Sequence, residues 1–308
     1  MPEIAFGRDT DELPPDLGER LAMRWMPRVF LHPRERFRPI WINDYVARCE
    51  PDTWEQVLRS NATHLRPDMR RLREDAEAHR MPATVHSVAR RIARSHPEPR
   101  MHNFVLLYYV FLFADQPDAT LCGCEPCFRF PNTGHEADVE WIALLLDPSG
   151  SRCWWTFYSA HGNAESSWDP TPVTREVARA EPPRTDSAAS PRDHEWSGSG
   201  VGDYPPLAPT VIPPTVYVAL GSHALFPTGG RRTRIWGFAA DVCAAAGSVA
   251  PLVYRIDHLE ASHPWRNWEG SMGRDGIGSL GGATRLSLPS SETNHIDTAW
   301  RRRLFRFG

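Results

Sequence analysis

The spacing of hydrophobic positions changes near residue 100. Before that point the apolar residues favour helical intervals. Leu17–Met26 is short and amphipathic, and Pro27 then starts an extended segment, Val29–His32. Trp41–Cys49, Asp52–Asn61 and Asp68–His79 each carry an Asp, Asn or Pro near the start, which predicts capped helices. Ala83–Ser95 carries Val85, Val88 and Ile92 on one helical face and arginines on the other, the pattern of a helix docked on a surface.

From residue 102 the pattern becomes that of strands. Asn103–Phe113 is a continuous aromatic and β-branched run, as in a strand buried on both faces. Ala137–Leu146, Cys153–Ser159, Thr215–Leu220, Thr233–Phe238 and Leu252–Ile256 are predicted as further strands, separated by Gly, Pro and Asp turns. Residues 164–210 are rich in Pro, Ser, Glu and Arg with little periodicity, which predicts a long surface insertion. Helices first and strands afterwards, with no internal repeat, favour an α+β chain that is mainly β over a doubly wound sheet. The expected organisation is one domain over 1–308. It holds a helical insertion at 50–98, a β-sandwich core at 102–258, the 164–210 insertion, and a glycine-rich tail at 265–308 packed on the core.

The carboxylates of one predicted strand carry the chemistry. In Gly134-His135-Glu136-Ala137-Asp138-Val139-Glu140-Trp141, alternate residues share a face, so Asp138 and Glu140 lie with Ile142, Leu144 and Leu146. Val139, Trp141 and Leu145 make the other face apolar too. A buried carboxylate without a partner costs several kcal/mol, and two like charges one strand repeat apart make the cost greater. Either a divalent cation or arginines can neutralise the pair, and hard oxygen ligands with one imidazole suit magnesium, calcium or manganese. Asp115, His161 and His223 stand where other predicted strands end and are candidates to converge on the same pocket.

Composition narrows the choice. All 35 basic residues are arginine, so Schiff-base, pyridoxal phosphate, Walker and kinase lysine chemistry is excluded. A net charge of -3 gives no electrostatic case for nucleic acid. Met1 to Pro15 has no cationic start followed by an apolar run, and the longest apolar stretches fall short of the roughly 20 residues of a spanning helix. The expectation is a cytoplasmic chain without a transmembrane segment. Cys122, Cys124 and Cys127 form a C-x-C-x-x-C that lacks a second close pair. It is read as three free thiols, with structural zinc completed by His102 or His135 as the alternative. Gly276-Ile-Gly278-Ser-Leu-Gly281 fits a dinucleotide fingerprint by letters only, because it neither follows a strand nor opens a helix.

The ordered series of motifs resembles a superfamily that joins the necrosis- and ethylene-inducing peptide-like proteins to the vacuolar-protein-sorting-62-related proteins. The first group has an aromatic strand ending in Asp-x-Pro, then Gly-His-Arg-His-Asp-Trp-Glu, a Ser-x-His-Gly and an Asn-His-Ala. The second has His-Glu-Gly-Asp-Trp-Glu, a Tyr-Val-Ala-x-Gly-Ser-His-Ala and an amino-terminal Ala-Pro-x-x-x-x-His-Pro-x-Glu. The matching residues here are Asp115 and Pro117, Gly134, His135, Asp138 and Glu140, His161 and Gly162, Tyr217 to Ala224, and the segment Met26 to Glu35. The resemblance spans roughly 21–48 and 102–258, and leaves 50–98 and 164–210 as insertions. Val139 stands where the family has tryptophan, and Ala137 where it has glycine or histidine.

The resemblance implies a β-sandwich in which Asp115, His135, Asp138 and Glu140 hold a divalent cation. Three functions are compatible with it. The first is a metal-dependent enzyme, a lyase, cyclase or hydrolase, acting on an anionic or oxygen-rich small molecule such as a prenyl diphosphate, with His161 or His223 moving a proton. The second is a module that uses the cation to bind sugar headgroups of membrane lipids, as the necrosis-inducing relatives do. The third is a scaffold whose metal only staples strands.

Overall fold

The computed structural model describes residues 10–95, 99–117, 134–158, 213–233, 240–268, 270–273 and 284–285. Its first elements are β1 (Thr10–Glu12), α1 (Pro15–Arg24), β2 (Arg28–Leu31), α2 (Ile42–Val46), α3 (Trp54–Arg59), β3 (His64–Leu65) and α4 (Met69–Glu77). The long strands follow: β4 (Thr84–Ile92), β5 (Val105–Gln116), β6 (His135–Leu146) and β7 (Cys153–Tyr158). Shorter ones complete the order: β8 (Thr215–Val218), β9 (Leu225–Phe226), β10 (Arg231–Thr233), β11 (Ala240–Val242) and β12 (Arg255–His258). After these come α5 (Pro264–Asn267), β13 (Ser271–Met272) and β14 (Thr284–Arg285). The chain is mainly β, as its sequence predicts.

The main sheet runs β1-β4-β5-β6-β7, with β12 also paired to β4. From β4 to β7 neighbours are antiparallel, whereas β12 runs parallel to β4. A second sheet, β2-β8-β9, joins the same hydrophobic core, because Val29, Val216, Val218 and Leu225 pack with the inward residues of β5 and β6. Helix α1 begins with Pro15, carries Asp16 in its first turn and Arg24 in its last, and buries Gly18, Leu21 and Ala22. Gly18 is required by packing: a Cβ there would lie 2.3 Å from Nε2 of His258.

One expected helix is a strand. Ala83–Ser95 contains β4, which is paired with β1, β5 and β12 near the centre of the main sheet. The spacing of Val85, Val88 and Ile92 suits a helix, but Ala89, His86 and Ser87 between them are buried as well. Burial on both faces erases the alternation that marks a strand. The polar side chains are satisfied from β12: Nδ1 of His86 lies 3.0 Å from Oδ2 of Asp257, and Oγ of Ser87 lies 3.0 Å from Nδ1 of His258.

Smaller differences follow the same logic. The strand expected at Leu252–Ile256 is β12, shifted toward His258. The strand expected at Thr233–Phe238 lies mostly outside the described residues, as do the 164–210 insertion, the Cys122–Cys127 loop and the glycine fingerprint of 276–281. Cys49, Cys153 and Cys243 are buried and take part in no disulfide.

Candidate functional site

Strand β6 delivers the carboxylates because its partner fixes their register. Phe111 stands opposite Glu140, Phe113 opposite Asp138, and Asp115 opposite Glu136, so Asp115, Asp138 and Glu140 share one face of the β5–β6 pair. All three are buried, at 8%, 5% and 5% exposure. Ala137, directly before Asp138, has φ of +55°, a left-handed conformation that disfavours any residue with a Cβ. The strand is thus locally distorted where its first buried carboxylate emerges.

The second sheet supplies the partners of Asp138. β2 and β8 are parallel, with Leu31 opposite Val218, so the segments that follow both strands leave the sheet at the same end. After β8, the turn Leu220 to His223 closes onto β9, with Ala219 N–H donating to Ala224 O at 3.0 Å. His223 itself has φ of +52°, a second non-glycine residue held left-handed at this place. Ser222 Oγ donates to Asp241 Oδ1 at 2.6 Å and ties the turn to β11. After β2, Glu35 folds back: Oε2 accepts the Gly221 amide at 2.7 Å, and Oε1 accepts those of Arg36 and Phe37 at 2.9 and 3.0 Å.

His223 is enclosed between two carboxylates. Its Nδ1 lies 2.9 Å from Oδ2 of Asp138, and its Nε2 faces Oε1 of Glu35 at 3.5 Å, an ion-pair distance rather than a full hydrogen bond. The imidazole is fully buried, stacks on Phe113 with centroids 4.0 Å apart, and meets Phe37 edge-on. Burial alone lowers the basicity of this imidazole, but Glu35 and Asp138 more than reverse that and raise it to about 9. Burial in turn pushes the Glu35 carboxyl up. His223 and the amides of Gly221 and Phe37 outweigh it and hold Glu35 below its ordinary 4.5.

Asp115 has a different partner. Helix α4 reaches across so that Arg73 Nε donates to Oδ2 and its NH2 to Oδ1 of Asp115, both at 2.9 Å, in a two-pronged fork. The helix is set by Asp68, whose side chain accepts from the Arg71 amide, and by burial of Leu72 and Ala76. The sequence weighed arginines as the alternative neutraliser of Asp138 and Glu140. In the structure, an arginine takes Asp115 and a histidine takes Asp138.

The donor set of Asp115, Asp138 and Glu140 matches a hard cation in chemistry: buried oxygen ligands on one face. Among the described residues, however, no group of three or more His, Cys, Asp or Glu side chains is gathered as a metal cage. The side chain of His135 is outside that set, and only its strand pairing with Gln116 is described. The fit is therefore partial: the ligand types suit a cation, while Asp115 already carries a guanidinium. His161, the other expected proton carrier, lies outside the described residues. Glu35 and Arg73 were not foreseen as parts of the site. Glu35 is the last residue of the Met26–Glu35 motif, which was its one visible signal, and Arg73 had none.

No protein-family model and no curated protein matches the chain. Among solved structures it is similar to NLPPya, a necrosis- and ethylene-inducing peptide-like protein, in complex with glucosamine, at 11% identity and a TM-score of 0.37. It is also similar to NLPPya in complex with mannosamine, at 11% identity and a TM-score of 0.34. Each comparison covers 86% of this chain and 87% of the other.

Proposed function

We propose that this protein is a cation-dependent binding module for sugar headgroups, with a divalent cation held by Asp138 and Glu140 together with Asp115 and His135. The observation that carries this reading is the enclosure of His223. It is fully buried, stacked on Phe113 and fixed between Asp138 and Glu35. An imidazole so placed orients a ligand carboxylate. It has no exposed face from which to take a proton from a substrate, which the enzymatic reading asks of it. Binding a polyol needs only an ion with open positions and nearby acceptors, and magnesium and calcium both coordinate hydroxyl oxygens readily.

The ordered motifs support the same conclusion, since the resemblance places Asp115, His135, Asp138 and Glu140 on the family's cation ligands. The test is calorimetric titration of chelator-stripped protein with glucosamine and mannosamine, with and without Mg2+ or Ca2+. Binding should require the cation and be lost in Asp138→Asn. Sugar binding that survives both chelation and Asp138→Asn refutes the proposal. Turnover of a phosphorylated substrate that is lost with His161→Ala would restore the enzymatic reading.

A further inference from the structure

A second group of polar and aromatic side chains lies outside the carboxylate set, around Asp257 on β12. Its contacts form a closed circuit. Trp41 Nε1 donates to Asp257 Oδ2 at 2.8 Å, and two residues on from Trp41, Asn43 Oδ1 accepts from Trp54 Nε1 at 2.9 Å. Trp54 meets His263 edge-on with centroids 6.3 Å apart, and His263 Nδ1 caps α5 by accepting the Trp265 amide at 3.3 Å. Trp265 in turn meets His86 at 4.8 Å, and His86 Nδ1 returns to Asp257 Oδ2 at 3.0 Å. His86 and Trp265 are fully buried and make the floor, while Trp41, Trp54, Asp257 and His263 are half-buried and make the rim.

Asp257 has no counter-cation in this circuit. The Ile42 amide donates to His86 Nε2 at 3.2 Å, so that atom offers its lone pair and the proton sits on Nδ1. Both donors to Oδ2 are therefore neutral N–H groups, and among the described residues no hydrogen bond reaches Oδ1 of this 29% exposed side chain. Arg255, two positions earlier on β12, is held by other partners. Its guanidinium stacks 4.6 Å from the centre of the Trp41 ring, and its Nε donates to Thr84 Oγ1 at 2.9 Å. Asp75, Asp115 and Glu12, by contrast, each carry an arginine. Burial pushes the Asp257 carboxyl up, but its hydrogen bonds hold it below the ordinary 3.8, so it is charged near pH 7. Burial also lowers the basicity of His263, which adds no positive charge there.

We propose that this circuit is a binding site for a small organic cation of the alkylammonium type, seated on Asp257 Oδ1 against the half-buried tryptophan rings. A carboxylate beside aromatic faces suits a large, weakly hydrated cation with hydrocarbon substituents. A metal ion is disfavoured, because it needs several hard ligands and Asp257 offers one open oxygen. The site shares no residue with Asp115, Asp138, Glu140 or His223 and stands independently of the reading above.

Full-length protein in EDTA is titrated calorimetrically with choline chloride and with its neutral isostere, in which carbon replaces the nitrogen. Choline should bind with a dissociation constant on the order of 1 mM, and the isostere at least about tenfold more weakly. Asp257→Asn keeps the shape but removes the charge, and should weaken choline binding at least about tenfold; Trp54→Leu should weaken it as well. Circular dichroism verifies that both variants fold. Equal affinity for choline and the isostere overturns the proposal, as does undiminished binding in folded Asp257→Asn or no choline binding by the wild type. The comparison of the two ligands uses wild-type protein alone, so it decides even where the variants do not fold. Phosphatidylcholine vesicles identify the source of the ammonium. Co-sedimentation that is lost in Asp257→Asn supports a lipid headgroup, and choline binding without co-sedimentation supports a free amine.

Discussion

Replacing His223 by phenylalanine isolates the charge that joins the two sheets. Phenylalanine keeps an aromatic ring to stack on Phe113, so the packing loss is small, while the imidazole that serves Asp138 at 2.9 Å and Glu35 at 3.5 Å disappears. The two carboxylates are then left with 8% and 2% exposure and no cation between them. Removing one partner of a buried ion pair costs about 3–5 kcal/mol. Amides of Gly221, Arg36 and Phe37 still serve Glu35, which places the expected loss at the lower end of that range. At about 2–4 °C per kcal/mol, the melting temperature should fall on the order of 10 °C. Urea unfolding in EDTA measures the loss directly, and repeating it in saturating Ca2+ should recover part of it, because an ion bound by Asp138 takes over the neutralisation. A loss below about 1 kcal/mol in EDTA would refute the argument, since the pair would then contribute no more than an exposed one.

Three further outcomes are expected. Ala137→Gly relieves a left-handed Cβ worth about 1–2 kcal/mol while adding unfolded-chain entropy, so urea unfolding should show stability unchanged or raised; Ala137→Val should cost more than about 2 kcal/mol. Asp75→Ala unhooks α4 from Arg48 and Arg80 and should cost about 2 kcal/mol, with faster hydrogen exchange in residues 69–77. Burial pushes the Asp257 carboxyl up, but hydrogen bonds from His86 and Trp41 hold it below its ordinary 3.8. Its contribution is thus present above about pH 4 and lost as pH falls through the lower folded value, and Asp257→Asn should flatten the denaturation midpoint over that acid range.

The sequence made the strands of the core legible where one signal dominated. The aromatic and β-branched Asn103–Phe113 run reads as a strand buried on both faces, and β5, Val105–Gln116, is one. β4 was misread because its polar residues are satisfied by β12, at a separation of 171 positions for both His86–Asp257 and Ser87–His258. Without those partners in view, Val85, Val88 and Ile92 at helical spacing, with arginines between and after them, read as a docked helix. The same limit governs the site. Asp138 and Glu140 were visible from alternation within one strand. Glu35 meets Gly221 only because β2 and β8 run parallel, and Arg73 meets Asp115 only because a helix from another segment crosses β5. Pairings made by topology leave no local pattern to read.

The most direct measurement is the anomalous diffraction of crystals soaked with MnCl2 and glucosamine. The account predicts one manganese peak bounded by Asp138 and Glu140, with His223 still on Asp138 and a sugar oxygen on the ion. A carboxylate set without manganese at saturating concentration, or a sugar seated away from the ion, would contradict it.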